Sequence, residues 1–250
     1  MLLLRDGVVG MEVYLLRRTR GMPFAGGMSA YLGGGVDDRD GDTDLAWVGP
    51  PPADWAAAFC CGERLARQLV CAAVRETFEE SGVLLAGPPD GSGVVPDVSG
   101  EDWEAQRCAL LAHELSLAEL LAGRGLALRA DLLRPFAHWI TPPPERRRYD
   151  TKFFAALIPT GQAARDVSGE ADEAGWTTPG AALQENAAGT RPMLPPTLHT
   201  LGQLAPFPDA AAALAGSPPA PLEPIMPTFA DDPGGRVAVL PDGTRMALPT

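Results

Sequence analysis

The stretch AAVRETFEESGVLLAG, residues 72–87, gathers three carboxylates on one predicted helix. Glu76, Glu79 and Glu80 stand at i, i+3 and i+4, so they project from one helical face. Like charges at these spacings destabilise a helix, and a divalent cation between them would relieve the repulsion. Oxygen ligands suit Mg²⁺ or Mn²⁺, and Arg75 is placed to orient one carboxylate through a charge-assisted hydrogen bond.

A helix from about Glu63 to Ser81 is predicted to carry these carboxylates, after a break at Gly62 and before a stop at Gly82. Earlier in the chain, the β-branched and aliphatic residues of VVGMEVYLLRR, residues 8–18, predict a strand. The Gly-rich stretch that follows this strand predicts a loop.

Helices and strands intermix after the carboxylate helix. The segment at 101–125 predicts two helices, the second begun by Ser116 with Glu119 three residues on. The stretches RPFAHWIT and DTKFFAALIP, at 134–141 and 150–159, predict two strands, and two later helices each begin with proline. This mixture predicts an α/β or α+β fold.

The C-terminal part of the chain has a different composition. From about Pro206 prolines become frequent, which predicts an extended or weakly ordered arm at 205–250 rather than a second domain. Near its end, GRVAVLPDGTRMAL alternates around Pro241 and Gly243 and predicts a β-hairpin. Two roles for the arm stay open, covering the site or joining subunits in a homodimer.

Bulk composition excludes several classes of partner. The chain has 250 residues, is 46% hydrophobic and carries a formal net charge of -12, so we expect a soluble globule without general attraction to nucleic acid or anionic membranes. The apolar run at the start is too short for a signal peptide, and none reaches membrane-spanning length, which predicts a cytoplasmic protein. We expect four reduced thiols, at Cys60, Cys61, Cys71 and Cys108.

The pattern Arg-Glu-x-x-Glu-Glu-x-Gly at 75–82 resembles the second half of the Nudix box, the helix signature of hydrolases acting on nucleoside diphosphates linked to another group. Thr77 stands where the general box prefers an aliphatic residue. Segments from about 8 to 200 are similar, in the same order, to a long-insertion subgroup that includes a peroxisomal coenzyme A diphosphatase. The resemblance implies a Nudix-type α/β/α sandwich with a mixed β-sheet over 1–204.

The first half of the box is less regular. The stretch YLGGGVDD supplies the paired glycines, Gly33 and Gly34, and an insertion at about 38–60 separates them from the helix. Arg67 stands where the family places an earlier glutamate, so the supporting carboxylate that the family has around its metal ligands is missing at this position. Glu63 is a candidate to substitute for it.

The resemblance also implies the composition of the site. Divalent ions, Mg²⁺ or Mn²⁺, would be held by Glu76, Glu79 and Glu80 with the carbonyl of Gly33. Glu76, oriented by Arg75, is the family's candidate for the general base, and Glu80 is a second catalytic candidate. All three glutamates lie close enough on the helix that the assignment of the base stays open.

A further metal ligand is expected from the opposite side of the site. Glu170 stands six residues before Trp176, similar to the family's distal glutamate before a strand tryptophan. We prefer Glu170 to its neighbours Asp172 and Glu173. A solvated acidic loop is the alternative.

Candidate substrate-binding residues come from the glycine pair and from arginines. In an acidic protein, the arginines of ERRRYD would hold a phosphate through guanidinium forks, although a solvated loop is an equal alternative. The candidates are Arg17, Gly34, Arg147 and Arg148.

The implied activity is metal-assisted hydrolysis of a diphosphate. The subgroup implies coenzyme A or an acyl-CoA, cut to 3′,5′-ADP and a 4′-phosphopantetheine, with the insertion and the helices at about 101–122 as the pocket walls. ADP-ribose or a nucleotide sugar is the alternative substrate. A nucleotide-sensing module without chemistry is the rival of another class, and it has less need of three box carboxylates.

Overall fold

The computed structural model describes residues 1–21, 25–143, 145–167, 169, 171–233 and 235–249. The strands are β1 (Leu2–Gly7), β2 (Gly10–Arg18), β3 (Ser29–Ala30), β4 (Trp47–Val48), β5 (Ala86–Gly87), β6 (Ala127–Arg129), β7 (Leu133–Ile140), β8 (Asp150–Leu157), β9 (Ala171–Thr177), β10 (Thr228–Asp232), β11 (Gly235–Val239) and β12 (Arg245–Ala247). The helices are α1 (Pro52–Phe59), α2 (Glu63–Ser81), α3 (Glu101–Leu111), α4 (Leu117–Gly123), α5 (Pro179–Ala187), α6 (Pro195–Leu204) and α7 (Ala210–Ala215).

A six-stranded mixed sheet lies at the centre of the described part of the chain. Its strands follow the order β3-β2-β1-β8-β7, and β9 also pairs with β2. The neighbours β1 and β8 are parallel, whereas β2 is antiparallel to both β1 and β9. Two smaller sheets, β4-β6-β5 and β10-β11-β12, lie outside it. This architecture confirms the predicted α/β fold with a mixed sheet.

Helices cover both faces of the central sheet, so its strands are buried on both sides. Along β1 and β2, Leu3 and Tyr14 belong to a core shared with α1 and α2, while Leu4 and Val13 belong to a core shared with α5, α6 and α7. The α2 helix therefore lies on the sheet face opposite α5 and α6, which gives the α/β/α sandwich.

The predicted helix boundaries around the carboxylates are confirmed. Helix α2 begins after Gly62, and Gly82 ends it in the left-handed conformation with φ of 69°. Ser116 caps α4 as predicted, since its hydroxyl accepts from the Glu119 amide while the Glu119 carboxylate accepts from the Ser116 amide.

The first strand differs from the prediction. The strand expected over 8–18 begins at Gly10, because Val8 and Val9 are exposed at the tip of a hairpin whose first strand, β1, was not predicted. Leu2, Leu3 and Leu4 are fully buried in β1. A central strand buried on both faces has no polar alternation, so periodicity does not reveal it.

The C-terminal segment also differs from an extended arm. Its alanine run forms α7, capped by Asp209, and the residues around the predicted turn join β11 to β12. Leu222 is buried against the α1 side of the core, and its amide donates to the Ala58 carbonyl at 2.8 Å. Ile225 exchanges two backbone hydrogen bonds with β7. The segment is thus packed on the sheet and on α1.

No helix in the described ranges combines the length and apolar character needed to cross a bilayer.

The packing of the C-terminal segment predicts that Leu222→Ala lowers the free energy of unfolding by about 2–4 kcal/mol, because it leaves a cavity in the core. Met226→Ala is the matched control, since Met226 is 44% exposed, and its effect should stay within about 0.5 kcal/mol. Urea unfolding followed by circular dichroism measures both values. Equal effects from the two variants would contradict docking of this segment on α1.

Candidate active site

Helix α2 delivers the candidate carboxylates to one place at its C-terminal end. Glu79 and Glu80 lie in the last turn and are only 4% and 7% exposed, and Glu76 is partly buried one turn earlier. Thr77, the departure from the general box, is fully buried, and its hydroxyl donates to the Ala73 carbonyl at 2.6 Å. Its polar group is therefore satisfied within the helix.

Arg75 is a buried hub between the carboxylates. Its Nη1 donates to Glu76 Oε1 and to Glu79 Oε2, each at 2.9 Å. On its other side, Nε and Nη2 bind the two oxygens of Asp40 at 2.9 and 3.0 Å. Nη2 also donates to the Gly35 carbonyl at 2.8 Å. One guanidinium thus ties α2 to the glycine loop and to the segment that follows it.

The pKa values follow from this burial and pairing. Burial opposes the charged guanidinium, but the hydrogen bonds to Asp40 and the nearby negative charges outweigh it and raise the pKa of Arg75. Burial raises the pKa of Glu79 to about 7, against the opposing charge of Arg75 and with the neighbouring charge of Glu76. Glu79 is thus a carboxyl group that titrates near neutral pH.

The paired glycines receive the other two carboxylates. The Gly33 amide donates to Glu80 Oε2 at 2.6 Å, and Gly33 has φ of +145°. A Cβ added to Gly34 would lie 2.5 Å from Glu76 Oε1, so only glycine lets the loop approach this closely. The three glutamates therefore differ in position. Glu76 and Glu80 lie against the glycine loop, and Glu79 is turned toward Arg75.

Asp40 is the functional residue that the sequence interpretation missed. It is 4% exposed in a 3₁₀ turn at Asp38–Gly41 and binds Arg75 with both carboxylate oxygens. The same carboxylate accepts from the Asp37 amide at 2.8 Å, which completes a capping box. The Asp-x-x-Asp pattern at 37–40, shortly after the glycines, was the sequence signal that could have identified this turn.

Arg67 and Glu63 lie on the part of α2 that precedes the Arg75 cluster. Arg67 Nη1 donates to the Asp42 carbonyl at 3.3 Å, and its guanidinium lies 5.2 Å from the Trp47 ring centroid. Glu63 is exposed in the first turn of α2. The carboxylate that holds Arg75 comes from 35 residues upstream instead.

The donor set fits a hard divalent cation that keeps part of its water shell. Among the described residues, no three His, Cys, Asp or Glu side chains form a ready group for a metal ion. Glu76 and Glu80 nonetheless share the glycine cradle, and Mg²⁺ commonly uses one or two carboxylates plus substrate phosphates. Glu170, the expected further ligand, lies outside the described residues.

The predicted arginines lie in other surroundings. Arg17 donates to the Gly27 carbonyl at 3.4 Å and lines a polar cleft of about 250 Å³ with Glu185 and Arg191. Arg147 and Arg148 are exposed on the β7–β8 connection, where Arg148 Nε donates to the Thr141 carbonyl at 2.9 Å. Of the substrate-binding candidates, Gly34 is the one that the structure brings to the carboxylates.

Residues 60–204 match the family model described as the NUDT19 Nudix domain. The acyl-coenzyme A diphosphatases NUDT19 of Xenopus laevis and Gallus gallus are 27% identical over 149 residues and 29% identical over 156 residues. Each alignment covers 55% of this chain, and 39% and 40% of the two relatives. A Caenorhabditis elegans protein provisionally named nudix hydrolase 7 is 31% identical over 141 residues, 56% of this chain and 45% of that protein. The chain thus spans less than half the length of these curated relatives.

A solved structure is similar over most of the chain. The crystal structure of a NUDIX hydrolase from Alicyclobacillus acidocaldarius superposes with a TM-score of 0.72 at 29% sequence identity. The match covers 86% of this chain and 93% of that one.

The Arg75 hub predicts a large loss of stability from Asp40→Ala. Removing this carboxylate leaves a buried guanidinium short of its bidentate partner, so the free energy of unfolding should fall by about 3–5 kcal/mol. Asp38→Ala, at an exposed position in the same turn, is the control and should change it by less than about 0.5 kcal/mol. Guanidinium chloride unfolding compares the two, and an Asp40 variant as stable as the control would refute the hub.

Proposed function

Because the chain belongs to the family of NUDT19 Nudix domains, we propose that it hydrolyses the diphosphate of coenzyme A or an acyl-CoA. The products would be 3′,5′-ADP and the 4′-phosphopantetheine or its acyl derivative. The observation that carries the proposal is the pair of carboxylates, Glu76 and Glu80, held against Gly33 and Gly34. The names of the two NUDT19 relatives favour this substrate over other diphosphates.

The proposed cofactor is Mg²⁺ or Mn²⁺. Glu76, Glu79 and Glu80 would hold it with the Gly33 carbonyl, and Glu170 stays the predicted further ligand. The chemistry that such an ion supplies is neutralisation of the diphosphate oxygens, a lower pKa for an attacking water, and stabilisation of the charge on the leaving phosphate. Oxygen donors alone suit these hard ions.

The residues of the chain would position and deprotonate the water. Glu76 is the proposed general base, because Arg75 Nη1 fixes its Oε1 at 2.9 Å while the rest of the carboxylate faces the glycine loop. Oxygen of the water would attack one phosphorus, the bridging phosphorus–oxygen bond would break, and the water proton would pass to Glu76. Glu79, which accepts from the same Nη1 at 2.9 Å, would complete the carboxylates of α2 at the cation.

A noncatalytic sensor is supported less well by the same residues. Such a module has no need to keep three carboxylates in the last turns of one helix, where their burial opposes ionisation. The buried Arg75, together with Asp40, makes that arrangement tolerable. The geometry therefore favours an enzyme.

The glycine cradle predicts that Gly34→Ala weakens Mn²⁺ binding at least about tenfold while the fold survives. Its Cβ would meet the flexible end of Glu76, so the side chain swings away and little else moves. Gly35→Ala is the matched control, because a Cβ there meets no atom within 4 Å. Isothermal titration calorimetry with Mn²⁺ compares the two variants. The cradle would be wrong if both bound Mn²⁺ like the unaltered protein.

The decisive test of function is a substrate panel with Mg²⁺ or Mn²⁺, comprising coenzyme A, acyl-CoA, ADP-ribose, nucleotide sugars and dinucleoside polyphosphates. We expect preferential release of 3′,5′-ADP from the coenzyme A substrates, and a loss of at least about 100-fold in kcat for Glu80→Gln. Glu63→Gln changes an exposed glutamate at the far end of the same helix and should keep full activity.

The other outcomes of this panel are equally informative. Turnover of ADP-ribose alone would overturn the coenzyme A assignment and retain the site. Silence on every substrate, with Mn²⁺ still bound, would favour the sensor. Undiminished activity of Glu80→Gln would refute the proposed site itself.

A further inference from the structure

The metal-binding end of α2 is also the end at which a helix frays. The last four carbonyls of any α-helix lack partners inside the helix, so terminal turns need contacts from elsewhere to stay ordered. Glu79 and Glu80 lie two and one residues before the last residue of α2, Ser81. The geometry of two carboxylates in the proposed site therefore depends on what holds this turn.

Contacts from outside the helix interior hold the carbonyls of Phe78, Glu79 and Ser81. The Phe78 carbonyl accepts from the Gly82 amide at 2.8 Å, and the Ser81 carbonyl accepts from the Arg165 amide at 2.9 Å. The carbonyl of Glu79 accepts from a side chain instead, the Nη1 of Arg107, at 2.6 Å. A side chain from α3 thus binds the backbone of a residue in the candidate site.

Arg107 is built into this position. It is 4% exposed, and its Nε lies 3.1 Å from both carboxylate oxygens of Glu104, one turn earlier in α3. Glu104 also meets Arg165 Nη2 at 3.4 Å, which links α3 to the loop that caps Ser81. Cations stabilise the negative end of a helix dipole, so the charge of Arg107 suits its place.

The packing of α3 on α2 supports the same contact. Trp103, one turn before Arg107, meets Phe78 edge to face with ring centroids 6.2 Å apart. Helix α3 packs on α2 at the end that carries the carboxylates. Its position gives Arg107 a fixed base from which to reach the Glu79 carbonyl.

We propose that Arg107 is a positioning residue that holds the last turn of α2, and with it the carboxylates of Glu79 and Glu80, in the geometry that binds the divalent cation. The inference rests on the proposed function for its kinetic consequence. Its structural part is that the buried guanidinium of Arg107 keeps the end of α2 ordered. This part depends only on the hydrogen bond from Arg107 to the Glu79 carbonyl. Substitution of a residue that hydrogen-bonds a metal ligand commonly lowers metal affinity or activity by about 10- to 100-fold.

The test compares Arg107→Ala with Leu110→Ala, a buried apolar truncation on the same helix that leaves the Glu79 bond in place. Both variants are destabilised, so measurements are made well below their melting temperatures. Arg107→Ala should speed hydrogen–deuterium exchange in peptides spanning 76–84 and weaken Mn²⁺ binding about tenfold. It should also lower kcat by about 10- to 100-fold with a smaller change in KM. Leu110→Ala should do none of these.

Arg107→Lys provides the conservative rescue. A lysine can still donate to the Glu79 carbonyl but cannot fork onto Glu104, so Mn²⁺ affinity and exchange should recover in part. Equal exchange and equal Mn²⁺ affinity in the Arg107 and Leu110 alanine variants would overturn the proposal. If the unaltered protein hydrolyses nothing in the panel, the proposed function fails, while exchange and Mn²⁺ binding still decide the role of Arg107.

Discussion

The buried pairing of Arg75 with Asp40 is the constraint on which the rest of the site depends. A guanidinium that is 6% exposed requires a compensating negative charge and acceptors for its N–H groups within the protein. Asp40 takes two of its donors from outside α2, which leaves Nη1 for Glu76 and Glu79. The resulting cluster sets three carboxylates around one cation, so it keeps an excess of negative groups that a divalent cation would offset. It also fixes the rotation of α2 relative to the glycine loop, so Glu76 and Glu80 reach Gly33 and Gly34 together.

The long insertion is compatible with this pairing because most of it lies between the two partners. Asp40 and Arg75 are 35 residues apart, and the intervening chain includes β4, α1 and the part of α2 that precedes Arg75. The entropy of closing a loop rises only slowly with its length, so such an insertion adds little cost once its own residues are packed. Trp55 and Phe59 of α1 do this by stacking on each other, and both rings also contact Phe154 of the central sheet, at 48° and 64° to its plane. The insertion therefore extends the core and leaves the hub intact.

Structure that depends on neighbouring residues was predicted well from the sequence, whereas contacts between residues far apart in the chain were not. The ends of α2 were predictable because Gly62 and Gly82 bound a periodic apolar pattern. The family of the chain was predictable because its key residues lie close together in sequence, at 75–82. Asp40 was missed because its partner is 35 residues away, and Arg107 because a side chain bound to a backbone carbonyl leaves no pattern. The strand β1 was missed because burial on both faces removes alternation. Arg17 was chosen from a resemblance of segments, which does not tell on which side of a sheet a side chain lies.

The parallel pairing of β1 with β8 has a consequence for synthesis of the chain. Leu2 pairs with Ala155, so the first strand has no sheet partner on that side until most of the chain has been made. At about 5–20 residues per second, the ribosome needs about 8 to 30 s to add the 153 residues between these two partners. During that interval the edge of β1 that pairs with β8 stays open on the growing polypeptide, so completion of the central sheet waits for the synthesis of β8.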